Sequence, residues 1–262
     1  MADLKEEFAR LCAVVAQLRA PGGCPWDREQ TNTSLAPPLI EETYEVVSAI
    51  RANDDANLRE ELGDVLLLVV MHAEIAREAG RFEIAEIIAE VTAKLIRRHP
   101  HVFGDSEVKE SEGVVRQWEA IKQIEKKGAT EHYLDDLPPA FPALMRAQKA
   151  QKKVARVNFD WNNVADVVAK VDEELAETKE AIGSGDQEEV ADEIGDLLFA
   201  VTNLARKCKL DAESTLQAAT DKFTARFTRL EDVVRGRGKK LGDLQLVELD
   251  AIWNELKETP NA

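Results

Sequence analysis

The sequence predicts an all-α protein made of two tandem, related helical bundles, and three observations predict it. Apolar residues recur at helical spacings along most of the chain, no useful stretch shows strand-like alternation, and a four-carboxylate pattern occurs twice. Glu42, Glu45, Glu61 and Asp64 form the first set. Glu174, Glu177, Glu193 and Asp196 form the second, each 132 residues after its counterpart. A length of 262 residues accommodates two ordinary domains. The expected division is an N-terminal domain over 1–128, a linker over 129–142 and a C-terminal domain over 143–262.

Each element follows from local pattern. Leu4, Phe8, Leu11, Val15 and Leu18 describe one helical face, which Pro21-Gly22-Gly23 ends. A loop is expected from Cys24 to Pro38, then a helix from near Leu39 that carries Glu41, Glu42 and Glu45 up to Asn53-Asp54-Asp55. Further helices are expected over 58–78 (stopped by Gly80), over 84–98 (closed by His99-Pro100) and over 111–127. Gly128 to Pro142 has the Gly, Pro and Asp content of a connection. The second half repeats the plan, with helices over 143–157, 164–182, 187–207, 212–234 and 246–257. Its breaks are Asn158 to Asn162, Gly183-Ser184-Gly185, the Lys209 region and Arg235-Gly236-Arg237-Gly238. Lys94 and Arg98 match Lys222 and Arg226 at an offset of 128, and Trp118 and Trp253 each sit in a closing helix. The shift from 132 to 128 is a net four-residue difference, most simply placed at the junction between helices.

Composition excludes several function classes. Fifty acidic against 34 basic side chains give a net charge of −16, which argues against general affinity for nucleic acid or an anionic membrane. A small phosphorylated ligand is still compatible, because a metal ion or local Lys and Arg can reverse the sign within one cleft. Arg235 to Lys240 is read as a solvated basic loop. Cys12, Cys24 and Cys208 make neither a disulfide framework nor a zinc motif, and Cys24 is read as structural. The chain start lacks signal-peptide character, and the apolar run Val65 to Met71 is far short of the roughly 20 residues that span a bilayer. A soluble, cytoplasmic protein without membrane or nucleic-acid partners is expected.

The acids point to a metal. Residues three apart on a helix project from one face, so Glu42 with Glu45, and Glu61 with Asp64, each form a pair. Glu61 and Asp64 share a sector with Val65, Leu68 and Met71, and Glu193 and Asp196 lie above Leu197 and Ala200. Carboxylates gathered near a core repel unless protonated, solvated or compensated by cations. All-oxygen ligation suits Mg²⁺, with Mn²⁺ as a substitute. One Glu-x-x-Glu in so acidic a chain is ordinarily solvated surface; the duplication and the apolar sector favour ligation. A di-iron bundle uses Glu-x-x-His pairs, and no Glu here has His three positions later. Lys222 and Arg226 share a helix face, where they either bind phosphate or support the helix. Trp253 either packs on a nucleobase or on its own core. Lys170, one turn before Glu174, is a weaker phosphate candidate. Gly63 and Gly195, between the paired acids, are expected to permit close helix approach. His99 and His101 are read as helix-terminating.

Cys24-Pro25-Trp26-Asp27 with Gln30-Thr31, both acid sets, Arg146-Ala147-Gln148-Lys149, Phe159-Asp160-Trp161 and the run Glu193 to Phe199 together resemble the MazG family of all-α NTP pyrophosphatases. The resemblance covers nearly the whole chain. Asn32 departs from it, since the family loop usually has histidine after Gln-Thr. The resemblance implies Mg²⁺-dependent hydrolysis of NTPs and dNTPs to the monophosphate and pyrophosphate, by a homodimer of two-domain chains. Carried over by motif, Glu174, Glu177, Glu193 and Asp196 hold metal, with Glu42, Glu45, Glu61 and Asp64 as the matching first set. Lys222 and Arg226 bind the triphosphate, with Lys170 and Asp196 also facing substrate. Trp253 lines the nucleotide site, and Glu189 and Asp192 contact the nucleoside. Glu173, Glu177 and Glu193 are the candidate catalytic acids, the first two for orienting the water. The C-terminal unit is implied to be the principal catalyst, with the N-terminal unit weaker or architectural. The competing reading is a helical scaffold that binds metal or nucleotide without turnover.

Overall fold

The computed structural model describes residues 3–108, 110–125 and 132–258, and among these the regular elements are all helices, joined by turns and loops, without strands. It forms two compact units, Met1–Lys127 and Gly128–Ala262. Unit 1 contains α1 (Leu4–Arg19), α2 (Pro25–Glu29), α3 (Ala36–Ala52), α4 (Asp55–Glu78), α5 (Ile84–Arg98), α6 (Pro100–Phe103) and α7 (Ser111–Glu125). Unit 2 contains α8 (Ala143–Ala155), α9 (Val164–Ser184), α10 (Gln187–Lys207), α11 (Ala212–Gly236) and α12 (Leu246–Glu258), with a 3₁₀ turn at Leu241–Asp243. No helix among the described residues is long and apolar enough to cross a membrane.

In each unit a pair of long helices joined by two residues supplies the frame: α3 with α4, and α9 with α10. So short a connection makes the partners antiparallel neighbours. Helix α1 lies on α4 and α8 lies on α10, while α11 packs with α12. Val15, Leu35, Leu68, Val70 and Met71 form the core of unit 1, packed by Phe8, Leu11 and Leu39. Leu230, Val234, Leu244 and Ile252 form a second core between α11 and α12.

Capping chemistry moves several expected boundaries. Helix α4 starts at Asp55 rather than Leu58, because the Asp54 carboxylate accepts from the Ala56 and Asn57 amides at 3.1 Å. Asn53, at φ 54°, closes α3 just before it. Helix α3 itself begins at Ala36, ahead of Leu39, since Pro37 and Pro38 occupy a first turn whose amides have no helical partner anyway. The loop expected before it contains the short helix α2, which starts at Pro25. Gly183 and Ser184 continue α9, and only Gly185, at φ +80°, stops it. Likewise α11 runs through Gly236, and the left-handed residue is Gly238. The expected end of α7 at Lys127 and the connection over 128–131 lie outside the described residues. Residues 132–142 form turns fastened to α8: the Lys153 ammonium donates to the Tyr133 carbonyl and the Asp136 carboxylate, and the Tyr133 hydroxyl donates to the Lys153 carbonyl at 3.1 Å.

The four-residue difference between the halves lies mostly within a helix. Helix α4 continues three residues past the counterpart of Lys207 (207−132=75), and the turn after it is one residue longer than the turn after α10. In unit 2 that turn is held by the buried Gln148, whose Nε2 donates to the Leu210 carbonyl at 2.7 Å and whose Oε1 accepts from the Ala212 amide at 2.8 Å.

The two neighbouring glycines of α9 make opposite predictions. A Cβ at either position meets nothing within 4 Å, so backbone conformation alone decides. Gly183→Ala should hold or raise the melting temperature, whereas Gly185→Ala should cost about 1 kcal/mol in thermal or urea unfolding.

Candidate metal centre

The frame pairs bring the acids together. Glu42 and Glu45 from α3 meet Glu61 from α4, with one carboxylate oxygen of each within 4.8 Å of the others. Glu174 and Glu177 from α9 meet Glu193 from α10 in the same way. Each triplet is thus two acids one turn apart and a third from the antiparallel neighbour. Asp64 and Asp196 stand beside the triplets rather than inside them, close enough to push on Glu42 and Glu193 respectively. Glu174 is buried at 6% exposure; Glu42, Glu61, Asp64 and Glu193 are half-buried, and Glu45, Glu177 and Asp196 are exposed. Each cluster therefore has a drier floor and an open mouth.

Desolvation and mutual repulsion shape these acids. The Glu42 carboxyl is raised above its usual range by desolvation, then by the charges of Glu45 and Asp64. Glu61 is raised by desolvation and then by Glu45, and Glu193 by desolvation followed by Glu177 and Glu174. In unit 2 a side chain partly offsets this charge. Lys170 Nζ is 2.7 Å from the Glu173 carboxylate and 2.7 Å from that of Glu174, and hydrogen bonds to Glu173 and then Glu174 hold the ammonium above its ordinary range. The matching position in unit 1 is Pro38, which brings no charge. Converging carboxylate oxygens with no nitrogen or sulfur donor fit a hard divalent cation, and each triplet leaves an open side for water or phosphate oxygen.

Other expected site residues are placed differently. Glu173 is exposed and paired with Lys170, outside the triplet. Glu189 accepts from the Ser184 hydroxyl at 2.7 Å, and with Glu188, Ala191 and Asp192 it lines an open hollow on α10. Lys222 is exposed on α11. Arg226 is half-buried, its guanidinium 5.0 Å from the centre of the Trp253 ring, and Phe223 approaches the same ring at 5.1 Å. Trp253, half-buried, packs on the Leu230–Ile252 core. No hydrogen bond or ion pair joins Lys222 or Arg226 to the acid triplet among the described residues.

The expectation for Gly63 and Gly195 is corrected. A Cβ on either meets nothing within 4 Å, because both lie on exposed sides of their helices, so neither serves close helix approach within its unit. The basic loop is ion-paired: Arg235 with Glu231 and Asp232, Arg237 with Glu255, Lys239 with Glu248. Asn32 takes up a structural contact, its carbonyl oxygen 3.1 Å from His72 Nδ1.

Two residues that sequence reasoning passed over help to hold the site. The buried Thr178 hydroxyl lies 2.7 Å from the Glu174 carbonyl and 3.3 Å from the Glu193 carbonyl, joining α9 to α10 at the level of the acids. Its only signal was its place one turn after Glu174. Asp160 binds Arg206 and Lys207, fastening the loop before α9 to the last turn of α10. The basic pair in that last turn was the available signal.

An all-α chain presenting one carboxylate triplet twice, each on an antiparallel helix pair, is a tandem-domain protein with two matching clusters that could hold a divalent cation. Comparison with known proteins makes this specific. The model of the MazG nucleotide pyrophosphohydrolase domain matches residues 30–103 and 162–231, one copy around each triplet. The chain is 46% identical over 257 residues to the nucleoside triphosphate pyrophosphohydrolase of Escherichia coli K12, covering 96% of this chain and 97% of that one. It is 45% identical over 250 residues to the nucleoside triphosphate pyrophosphohydrolase/pyrophosphatase MazG of Thermotoga maritima, covering 95% of each. It is also 42% identical over 257 residues to the uncharacterized protein YabN of Bacillus subtilis, covering 98% of this chain and 53% of that protein. The chain belongs to the MazG nucleotide pyrophosphohydrolase family, and it is an enzyme of that class.

The raised acids give a signed prediction. A carboxyl whose folded value lies above 4.5 contributes most favourably below 4.5, and that contribution is lost as pH rises through the folded value. Glu193→Gln should therefore raise the melting temperature of the metal-free protein at pH 8 relative to wild type, with the difference vanishing near pH 4. The same variant should lose the share of any Mn²⁺-dependent stabilisation that the second triplet provides, leaving the share of the first.

Proposed function

We propose that the chain is a Mg²⁺-dependent nucleoside triphosphate pyrophosphohydrolase, converting NTPs and dNTPs to monophosphates and pyrophosphate. The observation that carries the reading is the Glu174, Glu177, Glu193 triplet, with Glu174 buried and Lys170 attached, inside a matched MazG domain. Glu174, Glu177, Glu193 and Asp196 would hold Mg²⁺, or Mn²⁺ in its place, and Glu42, Glu45, Glu61 and Asp64 would do so in unit 1. A dication held there supplies charge neutralisation at phosphate oxygens and a more acidic water.

The chain's own residues supply the rest. The exposed Glu177 would orient a water or accept its proton, and Glu173, paired here with Lys170, is the second candidate. Lys222 and Arg226, on one face of α11, would bind the triphosphate and stabilise charge on the leaving pyrophosphate. Trp253 would support Arg226 through its ring contact, in addition to any nucleotide contact. Glu189 and Asp192, beside the triplet on α10, would meet the nucleoside. The C-terminal unit is the principal catalyst in this reading, and the N-terminal unit is weaker or architectural. Free thiols at Cys12, Cys24 and Cys208 suit a reducing cytoplasm.

Two copies would associate through apolar surface that a single chain leaves bare. Ile88, Val91 and Leu95 make one stripe on α5, and Ile194, Leu198 and Val201 make another on α10, all at least 40% exposed. Stripes of this kind mark association surfaces. Sedimentation equilibrium should give a dimer mass for wild type and a shift toward monomer for Leu198→Lys.

The activity test is direct. With Mg²⁺ and a panel of NTPs and dNTPs, wild type should release monophosphate and pyrophosphate one to one, and EDTA should abolish release. Glu193→Gln should lose more than the ~10- to 100-fold that follows removal of an outer-shell partner. Nucleotide binding without product would favour the scaffold reading, and full turnover by Glu193→Gln would refute the site.

A further inference from the structure

The repeat lets the two units be compared position by position, and their cations diverge. In unit 2, Arg226 stands over Trp253, and neither it nor Lys222 has a carboxylate partner among the described residues. In unit 1 the counterpart, Arg98, also stands over a tryptophan, 5.4 Å from the Trp118 ring centre. There, however, it is tied to a carboxylate. Glu125 Oε2 accepts from Arg98 Nε at 3.0 Å and from its Nη2 at 2.5 Å, while Oε1 accepts from Arg97 Nε at 2.6 Å. Hydrogen bonds from Arg98 and then Arg97 hold this carboxyl at about 2. Arg98 and Glu125 keep only 15% and 20% of their side-chain surface in solvent.

Unit 2 has nothing equivalent in its sequence. Glu125 follows Trp118 by seven residues, and the residue seven after Trp253 is Pro260, which carries no charge. The divergence recurs at the acid cluster, where Lys170 of unit 2 is matched by Pro38. A guanidinium binds carboxylate and phosphate with the same fork of N–H donors. A carboxylate shared between two arginines therefore fills the donors that phosphate oxygens would use.

We propose that Glu125 is an internal phosphate mimic that keeps the arginines of the N-terminal unit from a triphosphate, so that this unit takes a divalent cation but no nucleotide. The proposal rests on the reading of Lys222 and Arg226 as the triphosphate-binding pair of the other unit. It accounts for a first half that retains all four acids while Arg98, the counterpart of Arg226, is held by a carboxylate and only the exposed Lys94 keeps the place of Lys222. Its metal would serve to hold α3 against α4.

The test counts bound nucleotide on the full chain by calorimetry, using Mg²⁺ and an α,β-methylene triphosphate analogue that resists cleavage. Wild type should bind one analogue per chain, and Glu125→Gln should bind two. Glu125→Ala serves as a second variant, with circular dichroism confirming its helix content. Adding Lys222→Ala and Arg226→Ala should remove one analogue in every background, leaving none in otherwise wild-type protein and one in the Glu125 variants. Two analogues on wild type, or one on both Glu125 variants, would overturn the mimic while leaving the C-terminal reading intact. Retention of the single analogue after loss of Lys222 and Arg226 would overturn the reading beneath it.

Discussion

Repulsion among carboxylates held on paired helices is the constraint around which each unit is arranged. Three acids converge within 4.8 Å because a short turn fixes two helices side by side, and each helix presents its acids at that level. Burial of Glu174 and partial burial of Glu42, Glu61 and Glu193 remove the water that would otherwise screen them. Protons relieve the strain at low pH, a lysine relieves part of it in one unit, and a dication bound by all three would relieve it best. In the proposed function, affinity for a metal would thus come from the fold itself.

The two units solve this shared problem with different neighbours. Both keep the triplet, the flanking aspartate and an arginine resting on a tryptophan. In unit 2 the acids are met by Lys170 and the helices are joined by Thr178, whereas unit 1 has Pro38 and Val46 at those places. The arginine of unit 2 stays available; that of unit 1 is spent on Glu125. On the proposed function, a duplicated frame would have become one unit equipped for anionic substrate and another whose arginine is held by its own carboxylate.

Much of this was legible in the sequence because its signals were periodic or repeated. Helical spacing located the helices, and the offset of 132 singled out the three acids that converge in each unit together with a flanking aspartate. Boundaries were less legible where a polar break is itself a cap: Asp54 and Gly185 read as interruptions, yet each belongs to the end of a helix. The role of Trp253 was open on spacing alone, since the same residue suits a core or a nucleobase, and its packing on the Leu230–Ile252 core became visible only in the fold. Contacts between distant segments left no trace of their own. Neither Asp160 with Arg206 nor Glu125 with Arg97 and Arg98 could be paired without the fold that joins them.

The central claim is that the clustered acids exist to bind dications, and direct titration tests it. Mn²⁺ added to the metal-free chain, with free ion followed by its electron paramagnetic resonance signal, should show occupancy at two separable classes of site. Glu174→Gln should remove one class and Glu61→Gln the other. Unchanged Mn²⁺ uptake in both variants would contradict the account.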